Sequence, residues 1–409
     1  MDELMQKLKM YNQSHLLNFY KKLSEEQKQE LLKDVESIDF EKMQKLFEEK
    51  DFHISKDVKI SCAPYIDKAS LSAKEKEKYE QLGDELIKQN KLAVCSMAGG
   101  QGTRLGHTGP KGTYIVDLEE PKSIFEILID KLKAAYRKYG VYINWYIMTS
   151  NANDKQTKEF FEENNYFGYP KDCIIFFEQG ELPLMDFNGK IILKNEYSIY
   201  KAADGNGGVF EALYRNKVLE DMKNKGIEYL SIGNVDNILI KQVDNLFMGM
   251  IKEGNYDLAS KSVVKRSPDE PVGVFCKINN RPSVIEYIDL DKTLAEERNE
   301  NGELVYGEAF FGNSLVSRKL LEKIGREKLP FHVAKKKNSY LDENGNLVTS
   351  EVPNTYKFEA FIFDGFKVAE DMLILRTKRE EEFAPIKNKE GNDSPQTAKE
   401  LYTNYMSNK

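Results

Sequence analysis

Leu92-Ala93-Val94-Cys95-Ser96-Met97-Ala98-Gly99-Gly100-Gln101-Gly102-Thr103-Arg104-Leu105-Gly106, followed shortly by Pro110-Lys111-Gly112, carries an apolar run straight into a glycine-rich loop. Residues 92–97 form a short apolar run that reads as a buried strand. Glycine accepts the positive φ and the close main-chain approach that other residues resist. Successive N–H groups in such a loop make a concavity for anions. Arg104 and Lys111 add the positive charge that a polyphosphate requires. The segment predicts a nucleotide-phosphate loop at the carboxyl end of a strand.

Spacing separates the known phosphate loops. The P-loop requires G-x-x-x-x-G-K-[ST], but Lys111 follows Pro110 and precedes Gly112, so that pattern fails. The dinucleotide fingerprint requires G-x-G-x-x-G opening directly into a helix. Gly100, Gly102 and Gly106 give G-x-G-x-x-x-G instead, and no helical period follows before Pro110. The string G-G-Q-G-T-R-L-G…P-K-G is far more specific than a lone glycine loop, and it resembles the signature of sugar-nucleotide pyrophosphorylases.

Outward from the loop, the pattern changes character at Lys91. Before it the chain reads as helical, with Leu16, Leu17, Phe19, Tyr20 and Leu23 on one face. Ser24 and Gln27 make a capping box ahead of Leu31, Leu32 and Val35, and Met43, Leu46 and Phe47 mark a third helix. After Lys91, β and α patterns alternate. A helix carries Ile124, Phe125, Leu128 and Leu132, and a strand covers 141–148. Next come a helix near 154–163, a strand over 173–177, a helix over 210–222 and a strand over 229–233. Such alternation predicts an α/β fold with a central doubly wound, mixed but mostly parallel sheet. Ligands in such sheets sit beyond the carboxyl ends of strands. Past Asp257 strands dominate, with turns at Pro268, Pro271 and Asn279-Asn280, and a charged tail begins near Arg379. The expected regions are an N-terminal helical one (1–90), a central nucleotide- and sugar-binding domain (91–378) and a small C-terminal domain (379–409).

Composition narrows the class. The net charge of −7 argues against a nucleic-acid surface, so the cations near the loop are a local feature. No apolar run approaches the ~20 residues needed to cross a bilayer, and the N-terminus lacks a secretion pattern. Cys62, Cys95, Cys173 and Cys276 are scattered, as expected of free thiols in a reducing cytoplasm. His15, His53, His107 and His332 have no metal-ligand spacing, and no Ser-His-Asp or Cys-His elbow is present.

Several other positions bear chemistry. Asp204-Gly205-Asn206-Gly207-Gly208 is either a helix-entry turn or a wall where backbone approaches a ligand and Asn206 offers its amide. Asp236 follows the 229–233 strand, where a carboxylate suits either Mg²⁺ or an Asx turn. Gln179 sits at another strand end, placed to read a base or ribose. Glu286 and Tyr287 suit sugar hydroxyls or an ordinary alternating strand. Lys357 and Lys387, taken singly, are ordinary surface cations. His107 either touches phosphate or fills a loop position.

Together these residues resemble the UDP-N-acetylhexosamine pyrophosphorylases within the UDP-sugar pyrophosphorylase family. The likeness runs in order through Ser14-His15-Leu16-Leu17, Trp145 to Ser150, Phe176 to Pro183, Gly189 to Leu193, Val235 to Leu239, Glu270 to Val274 and Glu382 to Asn388. It implies a Rossmann-like nucleotidyltransferase that converts UTP and a sugar 1-phosphate, N-acetylglucosamine 1-phosphate foremost, to UDP-sugar and pyrophosphate, with Mg²⁺ as cofactor. It implies that Met97, Ala98, Gly99, Gly100, Gln179 and Gly205 hold the nucleotide, with Lys357 neutralising phosphate. Arg104, Lys111 and Lys387 would be catalytic, Asn206, Glu286, Tyr287 and Asn313 would hold the sugar, and Asp236 would bind the metal.

One departure bears on the sugar. Aligned without gaps, Phe310 falls where N-acetylhexosamine-type members carry a sugar-contacting Asn, while Asn313 matches their later Asn. Losing that amide costs ~1–3 kcal/mol if a sugar polar group is left unpartnered, enough to alter preference among hexose 1-phosphates. A glucose-1-phosphate or broad-specificity enzyme is thus the alternative. A nucleotide-sugar-binding regulator and a nicotinamide oxidoreductase are further alternatives. Neither membrane nor nucleic acid is expected as partner, and oligomeric state is undetermined.

Overall fold

A computed structural model describes residues 1–50 and 58–408. The chain forms two compact units interleaved along the sequence. The smaller takes Met1–Lys56, Gly180–Gly208 and Leu329–Phe361, and the larger takes Asp57–Gln179, Val209–Lys328 and Ile362–Lys409. Packing therefore draws its lines elsewhere than the expected regions 1–90, 91–378 and 379–409. The helix Ala73–Lys88 belongs with the larger unit because Gly83 lets it meet the backbone of Asn245 at the helix Asn245–Glu253. The charged tail is likewise anchored there, with Phe383, Ala384 and Ile386 buried.

The larger unit is built on a mixed sheet. Its main path runs Ile66–Asp67, Leu373–Arg376, Leu258–Val264, Glu308–Ser317, Tyr229–Asn234, Leu92–Met97, Asn144–Thr149 and Ile174–Glu178. All run in one direction except Glu308–Ser317, which is antiparallel to both neighbours. Leu92–Met97 and Asn144–Thr149 are buried along their whole length, which accounts for the apolar stretches Leu92 to Cys95 and Trp145 to Met148 within them. The hairpin Val274–Ile278 and Arg281–Ile285 turns at Asn279 and Asn280, both at positive φ (51° and 64°), as the Asn-Asn pair led one to expect.

The helix Ile124–Tyr139 starts at Ser123, whose hydroxyl accepts from the Glu126 N–H at 3.0 Å, and ends at Gly140. It buries the Ile124, Phe125, Leu128 and Leu132 stripe that its period marks. The single helix expected over 210–222 is instead two, Gly208–Arg215 and Val218–Asn224, broken at Lys217 with φ 59°. At the end of the first, Asn216 donates both its backbone N–H and its side-chain amide to the Ala212 carbonyl, at 3.0 and 2.9 Å, before Lys217 turns the chain.

In the smaller unit, the expected capping box at Ser24 and Gln27 opens the helix Glu25–Glu36, and Phe40–Glu48 forms the third helix. Leu16 to Leu23 lie not on one helix but on two 3-10 turns, Ser14–Leu17 and Tyr20–Lys22, with Leu16, Phe19 and Leu23 still buried. Small sheets complete this unit, among them His332–Lys336, Thr355–Glu359 and Met185–Asp186. Its core gathers Leu16, Leu31, Phe40, Ile191 and Phe358.

Candidate active site

The order of strands reverses beside Leu92–Met97: the chain continues to Asn144–Thr149 on one side and returns to Tyr229–Asn234 on the other. This is the switch point at whose carboxyl edge α/β sheets take ligands. The glycine loop leaves one strand there, and residues 235–240 leave its neighbour.

The loop is held by its carbonyl oxygens. Ser150 Oγ donates to the Gly99 carbonyl at 2.8 Å, and Asn153 Nδ2 donates to those of Ala98 and Gly100 at 2.9 and 3.2 Å. Lys111 N–H also donates to the Gly100 carbonyl at 3.1 Å, folding the Pro110-Lys111-Gly112 segment back onto the glycines. Met97 and Ala98 are buried, and Gln179 lies so near Gly99 that a methyl group there would stand 2.4 Å from Gln179 Oε1. Gly100, by contrast, is exposed, with nothing within 4 Å of where a side chain would be. Arg104 is exposed on the turn Thr103–Leu105. His107 is engaged within the loop, its Nε2 2.8 Å from Thr113 Oγ1 and its ring edge-on to Tyr114.

Lys111 and Asp236, 125 positions apart in sequence, meet here: Nζ donates to Oδ2 at 2.9 Å, with the side chains only 16% and 15% exposed. The segment carrying Lys387 is bonded to the Asp236 loop, since the Ile386 N–H donates to the Asp236 carbonyl at 2.9 Å. Lys387 is exposed, its Nζ 5.6 Å over the Phe383 ring. Among the described residues no group of three His, Cys, Asp or Glu side chains is arranged to hold a metal. A lone carboxylate still suits Mg²⁺, which takes one or two carboxylates and completes its shell with phosphate oxygens and water.

The remaining assigned residues fall in different places. In the larger unit, Glu286 follows the strand Arg281–Ile285 next to Gly273, and Tyr287 is 47% exposed. Asn313 is 1% exposed; it sits opposite Gly233 in the sheet, level with Ser96 at the end of the strand that feeds the loop, and its Nδ2 donates to the Lys241 carbonyl at 3.4 Å. The Phe310 ring is taken up by an aromatic cluster, edge-on to Phe275, Phe363 and Phe366 at 5.5–6.2 Å. In the smaller unit, Gly205 adopts φ 93°, and a side chain there would stand 2.3 Å from the Ala360 carbonyl. The neighbouring Gly207 N–H donates to that same carbonyl, so this turn has a structural duty, with Asn206 on it. Lys357 lies on the strand Thr355–Glu359 and pairs with Glu359 at 2.8 Å. Of the other histidines, His15 contacts the Ile191 carbonyl, His332 stacks on Phe361, and His53 lies outside the described residues.

Sequence reasoning missed the supports. Ser150 and Asn153 brace the glycine loop, and their only signal was a short polar Ser-x-x-Asn turn after a strand. Lys131 Nζ donates to the Ile238 and Ile240 carbonyls, a contact from a helix that nothing local announces. Lys261, fully buried, donates to Asp244 Oδ2 at 2.7 Å and Glu382 Oε2 at 2.6 Å. Burial resists the charge on Asp244, but the Lys261 and Lys241 ammoniums outweigh it and hold the carboxyl well below the usual range.

With this geometry in view, the comparisons agree. The family described as UTP–glucose-1-phosphate uridylyltransferase matches residues 18–401. The UDP-N-acetylglucosamine pyrophosphorylase of Saccharomyces cerevisiae is 37% identical, over 95% of this chain and 87% of that protein. The human UDP-N-acetylhexosamine pyrophosphorylase-like protein 1 is 36% identical, over 96% of this chain and 82% of that protein. A crystal structure of the uridine diphosphate N-acetylglucosamine pyrophosphorylase of Trypanosoma brucei, in complex with inhibitor, is similar at TM-score 0.84 and 30% identity. It covers 98% of this chain and 84% of that one. A loop that bares Gly100 beside a Lys–Asp pair, on a fold shared along nearly the whole chain, leaves one assignment: the chain belongs to the UTP–glucose-1-phosphate uridylyltransferase family, among the N-acetylhexosamine pyrophosphorylases.

Proposed function

We propose that this protein is a uridylyltransferase that converts UTP and N-acetylglucosamine 1-phosphate to UDP-N-acetylglucosamine and pyrophosphate. The observation that carries the reading is the meeting of Lys111 and Asp236 at 2.9 Å beside the open Gly100. The reaction is an in-line displacement: a phosphate oxygen of the sugar 1-phosphate forms a bond to the α-phosphorus of UTP as the bond to the pyrophosphate oxygen breaks. The nucleophile is already ionised at neutral pH, so no general base is required. Repulsion between anions is the obstacle, and charge neutralisation with alignment is the remedy.

The residues divide that work. Main-chain groups of Met97, Ala98, Gly99 and Gly100, with Gln179, receive the nucleoside. Arg104 and Lys111 meet the triphosphate, and Lys387 adds charge near Asp236. Asp236 would hold Mg²⁺, which when bound neutralises phosphate charge. Sugar contacts through Glu286, Tyr287 and Asn313, and the roles of Gly205, Asn206 and Lys357 toward base, sugar and phosphate, rest on the family resemblance. N-acetylglucosamine is favoured over glucose because the relatives at 33–40% identity bear N-acetylhexosamine or N-acetylglucosamine names. The solved UDP-glucose enzymes share only the fold, at 15–17% identity. A cytoplasmic setting fits four unpaired cysteines, and no helix among the described residues is long and apolar enough to cross a membrane.

The test is pyrophosphate release from UTP with a panel of hexose 1-phosphates. N-acetylglucosamine 1-phosphate should give the highest kcat/KM. A glucose 1-phosphate optimum would overturn the sugar assignment, and UDP-sugar binding without turnover would overturn the enzymatic one.

A further inference from the structure

The loop carrying Asp236 and the segment carrying Lys387 are laced together by one buried side chain. Asn237 is 1% exposed. Its Nδ2 donates to the Glu382 carbonyl at 2.7 Å, and its Oδ1 accepts from the Ala384 N–H at 2.9 Å and the Leu239 N–H at 3.2 Å. Around it the backbones form a short antiparallel bridge. Asn237 pairs with Pro385, the Ile238 N–H donates to the Ala384 carbonyl at 3.2 Å, and the Ile386 N–H donates to the Asp236 carbonyl at 2.9 Å. The outer sides of both segments are secured as well, by Lys131 on the Ile238 and Ile240 carbonyls and by Lys261 on the Glu382 carboxylate.

We infer that Asn237 is a positioning residue for uridylyl transfer, fixing the Asp236 carboxylate and the Lys387 backbone as one frame. The inference rests on the function proposed above and assigns a role to a residue that acts only through its neighbours. The physical reason lies in where the residue stands. Chain leaving a strand end loses its ladder partners, and a charged group on such a loop would be free to wander. Asparagine carries a donor and an acceptor on a short stem, so one side chain can grip two backbones at once. A preorganised charge need not be rearranged as the reaction proceeds, and a misplacement of about 1 Å costs about 10²-fold in rate.

The test pairs Asn237→Ala with the core substitution Leu128→Ala as a stability control. Pyrophosphate release gives kcat and KM, electron paramagnetic resonance follows Mn²⁺ binding to the UTP complex, and amide exchange follows residues 384–386 in the free protein. For Asn237→Ala, kcat should fall about 10²-fold while KM for either substrate moves less than about threefold. Half-saturation should need several-fold more Mn²⁺, and exchange at 384–386 should accelerate. Leu128→Ala should lower the Tm and leave kcat near wild type. If the alanine variant does not fold, Asn237→Asp serves: it keeps both accepted bonds, loses the donated one and sets an oxygen against the Glu382 carbonyl, so its kcat should fall at least about tenfold. A kcat within about threefold of wild type for the Asn237 variant, or an equal kcat loss in Leu128→Ala, overturns the inference alone. A wild-type protein that releases no pyrophosphate with any sugar 1-phosphate overturns the proposed function, and the inference falls with it.

Discussion

Lys111 and Asp236 neutralise one another at 2.9 Å in a pocket of low exposure, so each is held ready without a free charge beside it. Bringing phosphates to this point exchanges one set of ionic contacts for another. Lys111→Ala should reduce turnover by about 10²-fold or more, the scale of losing one preorganised donor; a pyrophosphate assay showing an unchanged rate would reject the role. Gly99→Ala should raise the KM for UTP, because its methyl would stand 2.4 Å from Gln179 Oε1 and displace that side chain. Nucleotide titration showing wild-type affinity would count against Gln179 as a base-pocket residue. Both ends of the Lys111–Asp236 pair were legible in sequence, since each is a charge beside glycine or a strand terminus. Their supports were not. Asn153, Asn237 and Lys131 look like any polar residue until the chain brings distant carbonyls to them. Asn313 shows a further limit: its identity suits a sugar hydroxyl, but only the register reveals that it sits in the sheet with its Nδ2 on the Lys241 carbonyl and its Oδ1 buried without a partner.

Among the elements, periodicity located what is strongly amphipathic or wholly buried. The strands at Leu92–Met97 and Ile174–Glu178 and the helix Ile124–Tyr139 followed their patterns closely. Departures came where the backbone turns left-handed, as at Lys217, or where a short apolar face is served by 3-10 turns as well as by a helix. One contact between elements had no such signal. The helices Ala73–Lys88 and Asn245–Glu253 cross with backbone against backbone: a methyl on Gly83 would stand 1.8 Å from the Asn245 carbonyl, and one on Gly249 would stand 1.9 Å from that of Tyr79. Such overlaps cannot be relieved by a rotamer change. Gly249→Ala should therefore cost about 1–3 kcal/mol despite alanine's better helix propensity, read from urea unfolding. A stabilised variant would show that the crossing is looser than its geometry.

For the molecule as a whole, acid should bear on the smaller unit through His15. Burial depresses the pKa of this imidazole, against the opposing pull of the Ile191 carbonyl that lies 2.7 Å from Nε2, and Nδ1 is buried without a partner. The unfolded chain takes up a proton near pH 6.5 while the folded one does not. The stability that neutral His15 contributes is thus complete above about pH 6.5 and is lost as pH falls through the folded value. His15→Gln should lower the urea midpoint at pH 7.5, and the gap from wild type should narrow toward pH 5; a gap constant with pH would exclude this linkage. The interleaving of the two units has a bearing on how the protein is made. Tyr356 and Phe358, which complete the core around Leu16 and Phe40, are translated more than three hundred residues after them. Nascent chains must therefore carry those greasy side chains without their full packing until the later strand emerges, a window in which exposed apolar surface invites aggregation.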